Sequence, residues 1–169
     1  MALTQIIGSG ISGITIPNFI TEYDIFYQTL NLGSNASSTT DLTENLQRFD
    51  GNGFEKIGTG VSLSSGVFTF PSTGKYHILA KANMQSRDGA TTQCLFKIAV
   101  TLNNSSYTEI ARAEGGSHAA DATFTLLAST LLDVTDTSNV KVKFQISTST
   151  NAVRTLGASN IFRTGFTFI

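Results

Sequence analysis

The sequence predicts an all-β fold: a two-sheet antiparallel β-sandwich of about eight to ten short strands. Three observations predict it. Apolar residues recur with a period of two, as at Phe124, Leu126, Ala128, Thr130 and Leu132, and no stretch keeps a helical period for any length. Clusters of Gly, Asn, Asp and Ser interrupt these runs at irregular intervals. The composition agrees, with 12 Phe, no Trp, abundant Thr and Ser, and only 14% charged residues.

A chain of 169 residues buries roughly 70% of the surface its unfolded form exposes, so a single core closes without disulfide or metal. Lys and Arg number 11 against 12 Asp and Glu, with no basic run, which argues against nucleic acid as a partner. A net charge of −1 gives little electrostatic protection against association and points to an oligomer that covers part of its apolar surface. No run of about 18 apolar residues occurs, so no membrane insertion is expected. The single cysteine, Cys94, has no intrachain partner, which suits a reducing compartment.

Residues 1–20 read as an extended arm and residues 21–169 as one domain. The opening is uncharged and spaced by Gly8, Gly10 and Gly13, with Leu3, Ile6, Ile7, Ile11 and Ile14 as its apolar contacts, and no signal peptide is legible in it. The glycines spell G-x-G-x-x-G, but a pyrophosphate site needs a helix to start there, and Ile14-Thr15-Ile16-Pro17 is β-branched and ends in proline. Thr21 to Leu30 reads as a first strand, apolar on both faces through Tyr23, Ile25, Phe26 and Tyr27. Asn31 to Thr40 reads as a polar loop, and Asp41 to Phe49 as a short helical turn or an irregular segment. Asp50-Gly51-Asn52-Gly53 has the start of a calcium loop but lacks the later acidic ligands, so it reads as a turn.

In Gly66 to Met84, Phe68 and Phe70 share a face, Pro71 ends a strand, and Ser72-Thr73-Gly74 leads to a second strand with Tyr76, Ile78, Ala80, Ala82 and Met84 inward. Cys94, Phe96, Ile98, Val100 and Leu102 share the face of another strand, which makes Cys94 a core thiol rather than a nucleophile. Tyr107 to Ala113 and Phe124 to Leu132 read as strands joined by a loop over Gly115 to Ala120. Val140, Val142, Phe144 and Ile146 alternate with Lys141, Lys143 and Gln145, which predicts a wet outer face. Ser147 to Ser159 reads as a loop. Ile161 to Ile169 reads as a central strand with Phe162, Thr164, Phe166 and Phe168 on one face, because a strand this apolar would aggregate at an edge.

The pattern Phe68-x-x-Pro71-x-x-Gly74-x-Tyr76 resembles the signature of the C1q/TNF-like jelly rolls. Leu131 to Val142 is similar to that family's later turn and strand, and Phe162 to Phe166, with Gly165, to its terminal strand. The resemblance implies a jelly roll over residues 21–169. It further implies a tight homotrimer, with the sheet holding the first and last strands turned toward the threefold axis. By that analogy Tyr23, Tyr27, Phe166, Phe168 and Ile169 are the expected core or interface anchors. The opening is also similar to the start of small virion proteins of tailed phages, which implies a partner among capsid or tail proteins and a virion location after synthesis in the host cytoplasm.

No catalytic constellation is legible. Neither His77 nor His118 has a nucleophile-elbow motif or cysteine and acidic help at metal spacing, and no cofactor is implied. The expected function is that of a non-enzymatic assembly protein, a capsid decoration or fibre knob. The alternative is an adhesin that contacts host surface glycans through Gln85 to Thr92, Gly115 to Asp121 and Ser147 to Ser159, although these loops lack the Trp, Tyr or Phe on which sugars usually stack.

Overall fold

The computed structural model describes residues 20–51 and 53–169, so the arm contacts Leu3, Ile6, Ile7, Ile11 and Ile14 lie outside the described residues. The strands are β1 (Asp24–Gln28), β2 (Leu32–Ser34), β3 (Thr39–Asp41), β4 (Leu46–Arg48), β5 (Ser62–Ser64), β6 (Val67–Thr69) and β7 (Gly74–Ser86). They continue as β8 (Thr91–Thr101), β9 (Thr108–Ser117), β10 (Thr123–Val134), β11 (Lys141–Thr148), β12 (Val153–Thr155) and β13 (Gly165–Phe168). All pairings among them are antiparallel.

One sheet runs β2-β12-β7-β13-β1-β4, with β10 on the other side of β7. The second runs β5-β6-β11-β8-β9, with β3 also on β11. β6 and β7 therefore belong to different sheets, and Pro71 to Thr73 carries the chain across the sandwich rather than around a hairpin. Phe70 and Tyr76 clamp that crossover with ring centroids 4.6 Å apart, and the Tyr76 hydroxyl lies 3.0 Å from Ser72 Oγ. The period of two in the sequence here reports burial on the facing sides of two sheets.

The core lies between the sheets and is aromatic. Phe68 is fully buried, with Phe26, Phe144, Phe166 and Phe168 at ring-centroid distances of 5.1, 5.5, 5.6 and 5.1 Å. Cys94 is buried with its Sγ 3.6 Å from Met84 Sδ, and burial pushes its thiol up to about 12. Its contribution to stability is therefore complete below the unfolded thiol's pKa, about 8.5, and is lost as pH rises toward the folded value. In native protein at pH 8, Cys94 is expected to resist iodoacetamide and to react only in denaturant. Rapid alkylation of the folded chain would contradict its core position.

Several sequence expectations are corrected. The loop expected over 31–40 contains β2 and β3, the irregular segment over 41–49 contains β4, and the loop expected over 147–159 contains the end of β11 and β12. These short segments become strands because longer or distant strands offer them free backbone groups, β7 to β12, β12 to β2, β11 to β3 and β1 to β4, which no local pattern announces. Gly115, Gly116 and Ser117 extend β9 rather than forming a loop. Two residues of β8, Thr92 and Gln93, stand opposite Gly116, and a side chain there would overlap the Thr91 carbonyl oxygen.

Leu102 is 69% exposed, not in the core, because β8 ends at Thr101 and the Thr101 hydroxyl accepts from the amides of Asn103 and Ser105 to turn the chain. The terminal strand is central, between β7 and β1, but begins only at Gly165. Phe162 leaves the expected core face and packs near Phe49, ring centroids 6.1 Å apart. The outer side of β11 is half-buried rather than wet. There Lys143 bonds Asp41 at 2.8 Å and its ammonium stands 4.5 Å from the Tyr107 ring centroid.

Candidate functional site

The two outer faces of the sandwich differ in chemistry. On the β8–β9–β11 sheet, charges neutralise one another: Lys97 pairs with Glu109 at 3.1 Å, Arg112 with Glu114 at 2.7 Å and Lys143 with Asp41 at 2.8 Å. A surface of satisfied ion pairs gains little from being covered. The outer face of the β1–β13–β7–β10 sheet is more apolar, with one exposed ion pair, Lys75–Asp133 at 2.8 Å, at its end. Register places Ile25, Thr167, Leu79 and Ser129 in one row, and Tyr27, Gly165, Lys81 and Leu127 in the next. Leu79, Leu127 and Leu131 are 41%, 70% and 66% exposed.

Beside these rows stands an aromatic group built on β1 and its neighbours. Tyr27 meets Phe49 with ring centroids 4.7 Å apart, and Phe49 meets Phe54 at the same distance. The Tyr27 hydroxyl donates to the Ser159 carbonyl at 2.8 Å. Phe162 lies over Gly165, and a Cβ at that position would overlap both the Phe162 ring and the Phe26 carbonyl oxygen. Glycine is thus required so that β1 and β13 can pair beneath a ring. Gly165→Ala is expected to destabilise the fold by about 1–3 kcal/mol, read as a lowered urea midpoint. An unchanged midpoint would mean that the aromatic group rearranges freely.

The expected anchors separate by face. Phe166 and Phe168 are core residues at 0% and 1% exposure, while Tyr27, at 6%, is buried on the outer face beneath Phe49. Tyr23 and Ile169 are half-buried at the end where β7 begins. Sequence reasoning missed Leu79, Leu127, Leu131, Phe49, Phe54 and Phe162 as constituents of this face. The alternation of β10 contained the signal for Leu127 and Leu131, since both fall opposite the Leu126 and Leu132 side.

A clasp holds the aromatic edge in place. The Asp24 carboxylate, nearly fully buried, accepts from Arg48 Nε at 2.9 Å and Nη2 at 3.0 Å, and from the Val61 amide at 2.9 Å. The Asp24 hydrogen bond is the main reason the Arg48 guanidinium is held above its ordinary pKa. Glu22 accepts from the amides of Thr59 and Gly60 at 3.2 and 2.8 Å, fixing the segment that carries Phe54 and Ile57.

The three polar segments proposed for glycan contact converge at the end where β7 finishes. Arg87 N donates to Ala152 O at 2.9 Å, Asp121 N to Ser86 O at 2.9 Å, and Asn151 Nδ2 to Ala90 O at 2.6 Å. An open cleft of about 510 Å³ lies between Thr91–Gln93 and Glu114–His118. His77 stands at the opposite end of the sandwich from His118. Among the described residues no group of three or more His, Cys, Asp or Glu side chains is disposed to hold a metal ion.

No family model and no curated relative matches the chain. Solved structures do match. Eiger TNF from S. frugiperda superposes with a TM-score of 0.62 at 8% identity, over 86% of this chain and 89% of that one. The globular domain of zebrafish complement 1qA superposes with a TM-score of 0.50 at 10% identity, over 89% and 96%. The fold is the C1q/TNF-like jelly roll. The PRD1 vertex protein P5 overlaps this jelly roll more loosely, with a TM-score of 0.49 at 16% identity over 89% and 97%, too distantly to carry a functional argument. At such identities the likeness concerns the jelly roll alone.

Proposed function

We propose that the chain is a non-enzymatic structural protein of a tailed-phage virion, acting as a jelly-roll homotrimer attached to capsid or tail proteins through residues 1–20. The observation that carries the trimer is the contrast between the two outer faces. One sheet presents a network of self-neutralised ion pairs, while the other has a single such pair, Lys75–Asp133, at its end and presents Leu79, Leu127 and Leu131 beside an aromatic group, which water leaves poorly solvated. The virion location is supported by the opening of the sequence. A further support is polarity: Ile20 and Glu22 line a cavity with Ser72 to Lys75 and Ile169, at the end opposite the converged loops. An arm leaving there holds the particle while those loops face outward.

Light scattering on the purified protein tests the trimer. A mass near three chains is expected, both for the full chain and after removal of residues 1–17, and Leu127→Asp is expected to shift it to one chain. Leu127 is 70% exposed, so its replacement spares the monomer's core. A full chain that is monomeric at micromolar concentration would overturn the trimer. A second reading, the adhesin, is favoured by the convergence of the three loops at one end. Truncation at residue 17 separates the readings: an assembly protein loses particle attachment, whereas an adhesin keeps its binding to host cells.

A further inference from the structure

We infer that the trimer closes through a knob beside β1 and a cleft at the opposite side of the sandwich, with Ile57 of one copy seated between Leu102, Ile110 and Leu131 of the next. The inference rests on the trimer reading above and names its contact.

The knob lies at the β1 edge. Ile57 is 47% exposed and belongs to no strand, yet its backbone is held: Tyr23 N donates to Ile57 O at 3.0 Å and Ile57 N to Tyr23 O at 2.9 Å. Glu22 fixes the next turn through the amides of Thr59 and Gly60. An apolar side chain on an anchored backbone loses little conformational freedom when it is covered, which favours its use as a contact.

The cleft lies at the other edge, where β10 of one sheet stands beside β9 of the other. Its volume is about 510 Å³, and Leu102, Ile110 and Leu131 at its walls are 69%, 43% and 66% exposed. The turn that ends β8 places Leu102 there, so the residue that departs from the alternation expected of β8 has a use on the surface.

Register joins the two. Leu131 is paired with His77, and His77 exchanges backbone hydrogen bonds with Ile169 at 2.7 and 3.0 Å. The β1–β13 ladder, one step beyond Asp24–Phe168, sets Tyr23 beside Ile169, and Tyr23 is bridged to Ile57. Antiparallel hydrogen bonds run perpendicular to the strands, so knob and cleft stand at one level along the strand direction. A rotation axis parallel to the strands leaves that level unchanged in every copy. A head-to-tail contact between unlike patches at equal level has no rise along that axis, and with a rotation of one third of a turn between copies it closes into a three-membered ring instead of winding into a filament.

Cross-linking tests the contact. Ile57→Cys combined with Leu131→Cys, treated with a short bismaleimide, is expected to give covalent species ending at three chains on a denaturing gel, while each single variant gives none. Both positions are exposed, and the native Cys94 is buried, so folding and background are spared. Light scattering on the same double variant separates the possible failures. A mass of three chains without cross-links overturns the contact and leaves the trimer standing. A mass of one chain overturns both, and a covalent species that stops at two chains overturns the ring. As a second arm, Ile57→Asp with Leu131→Lys is expected to recover the three-chain mass that either single change loses. Failure of recovery beside two disrupted single variants counts against direct contact.

Discussion

Replacing Phe68 by alanine is expected to destabilise the jelly roll by about 3–5 kcal/mol, the range for a large buried aromatic side chain. Phe68 is the point at which the two sheets meet. It comes from β6 in one sheet, and Phe26, Phe166 and Phe168, on β1 and β13 of the other, surround it with Phe144 of β11. No neighbouring strand can shift alone to fill the space, because Phe144 and Phe166 are already stacked in parallel with ring centroids 3.6 Å apart. Denaturant unfolding monitored by tyrosine fluorescence or far-ultraviolet dichroism reads the loss. A change below about 1 kcal/mol would mean that the aromatic core collapses around the gap, contrary to close packing across both sheets. Phe68→Leu keeps most of the apolar volume and is expected to lose markedly less.

Replacing Arg48 by alanine is expected to cost about 3–5 kcal/mol, because it leaves a buried carboxylate without its countercharge. The Asp24 side chain is 2% exposed and that of Arg48 34%, so in the folded chain the carboxylate relies on its partner rather than on water. Two backbone donors remain to it, the amides of Ile25 and Val61. Arg48→Lys keeps the charge but loses the two-pronged geometry and is expected to fall between the wild type and the alanine variant. The experiment is a double-mutant cycle with Asp24→Ala, read from urea midpoints. If removal of Arg48 proved as mild as loss of an exposed pair, under about 1 kcal/mol, the clasp would be an accessory rather than the fastening of the β1 edge. Because Val61 leads from this clasp into β5, the same variant is expected to loosen the Phe54–Ile57 segment and so to weaken the proposed trimer.

Much of the jelly roll was legible from local pattern. The core sides of β7, β10 and β11 follow from alternation, since Tyr76 to Met84, Leu126 to Leu132 and Val142 to Ile146 each face a single interior. The central position of β13 followed from its overall apolarity, which an exposed edge would not tolerate, and Cys94 was placed in the core by its spacing from Phe96 and Ile98. The apolar patch on the outer face was legible only in part. Tyr23, Tyr27 and Ile169 were named, but Leu127 and Leu131 are ordinary exposed residues until β10 is set beside β7.

What the sequence by itself determined is which side chains must leave water, because period and apolarity are properties of neighbouring residues. What only the tertiary structure decided is which backbone meets which. Leu32–Ser34, Thr39–Asp41, Leu46–Arg48 and Val153–Thr155 are strands because distant strands present unpaired N–H and C=O groups to them. Phe162 turns to the outer face because Gly165, three residues on, leaves room for its ring there. The alignment of Ile57 with Leu131 across the sheet belongs to the same class. A side chain's burial preference is local, whereas register is set by hydrogen bonds between segments far apart in the chain.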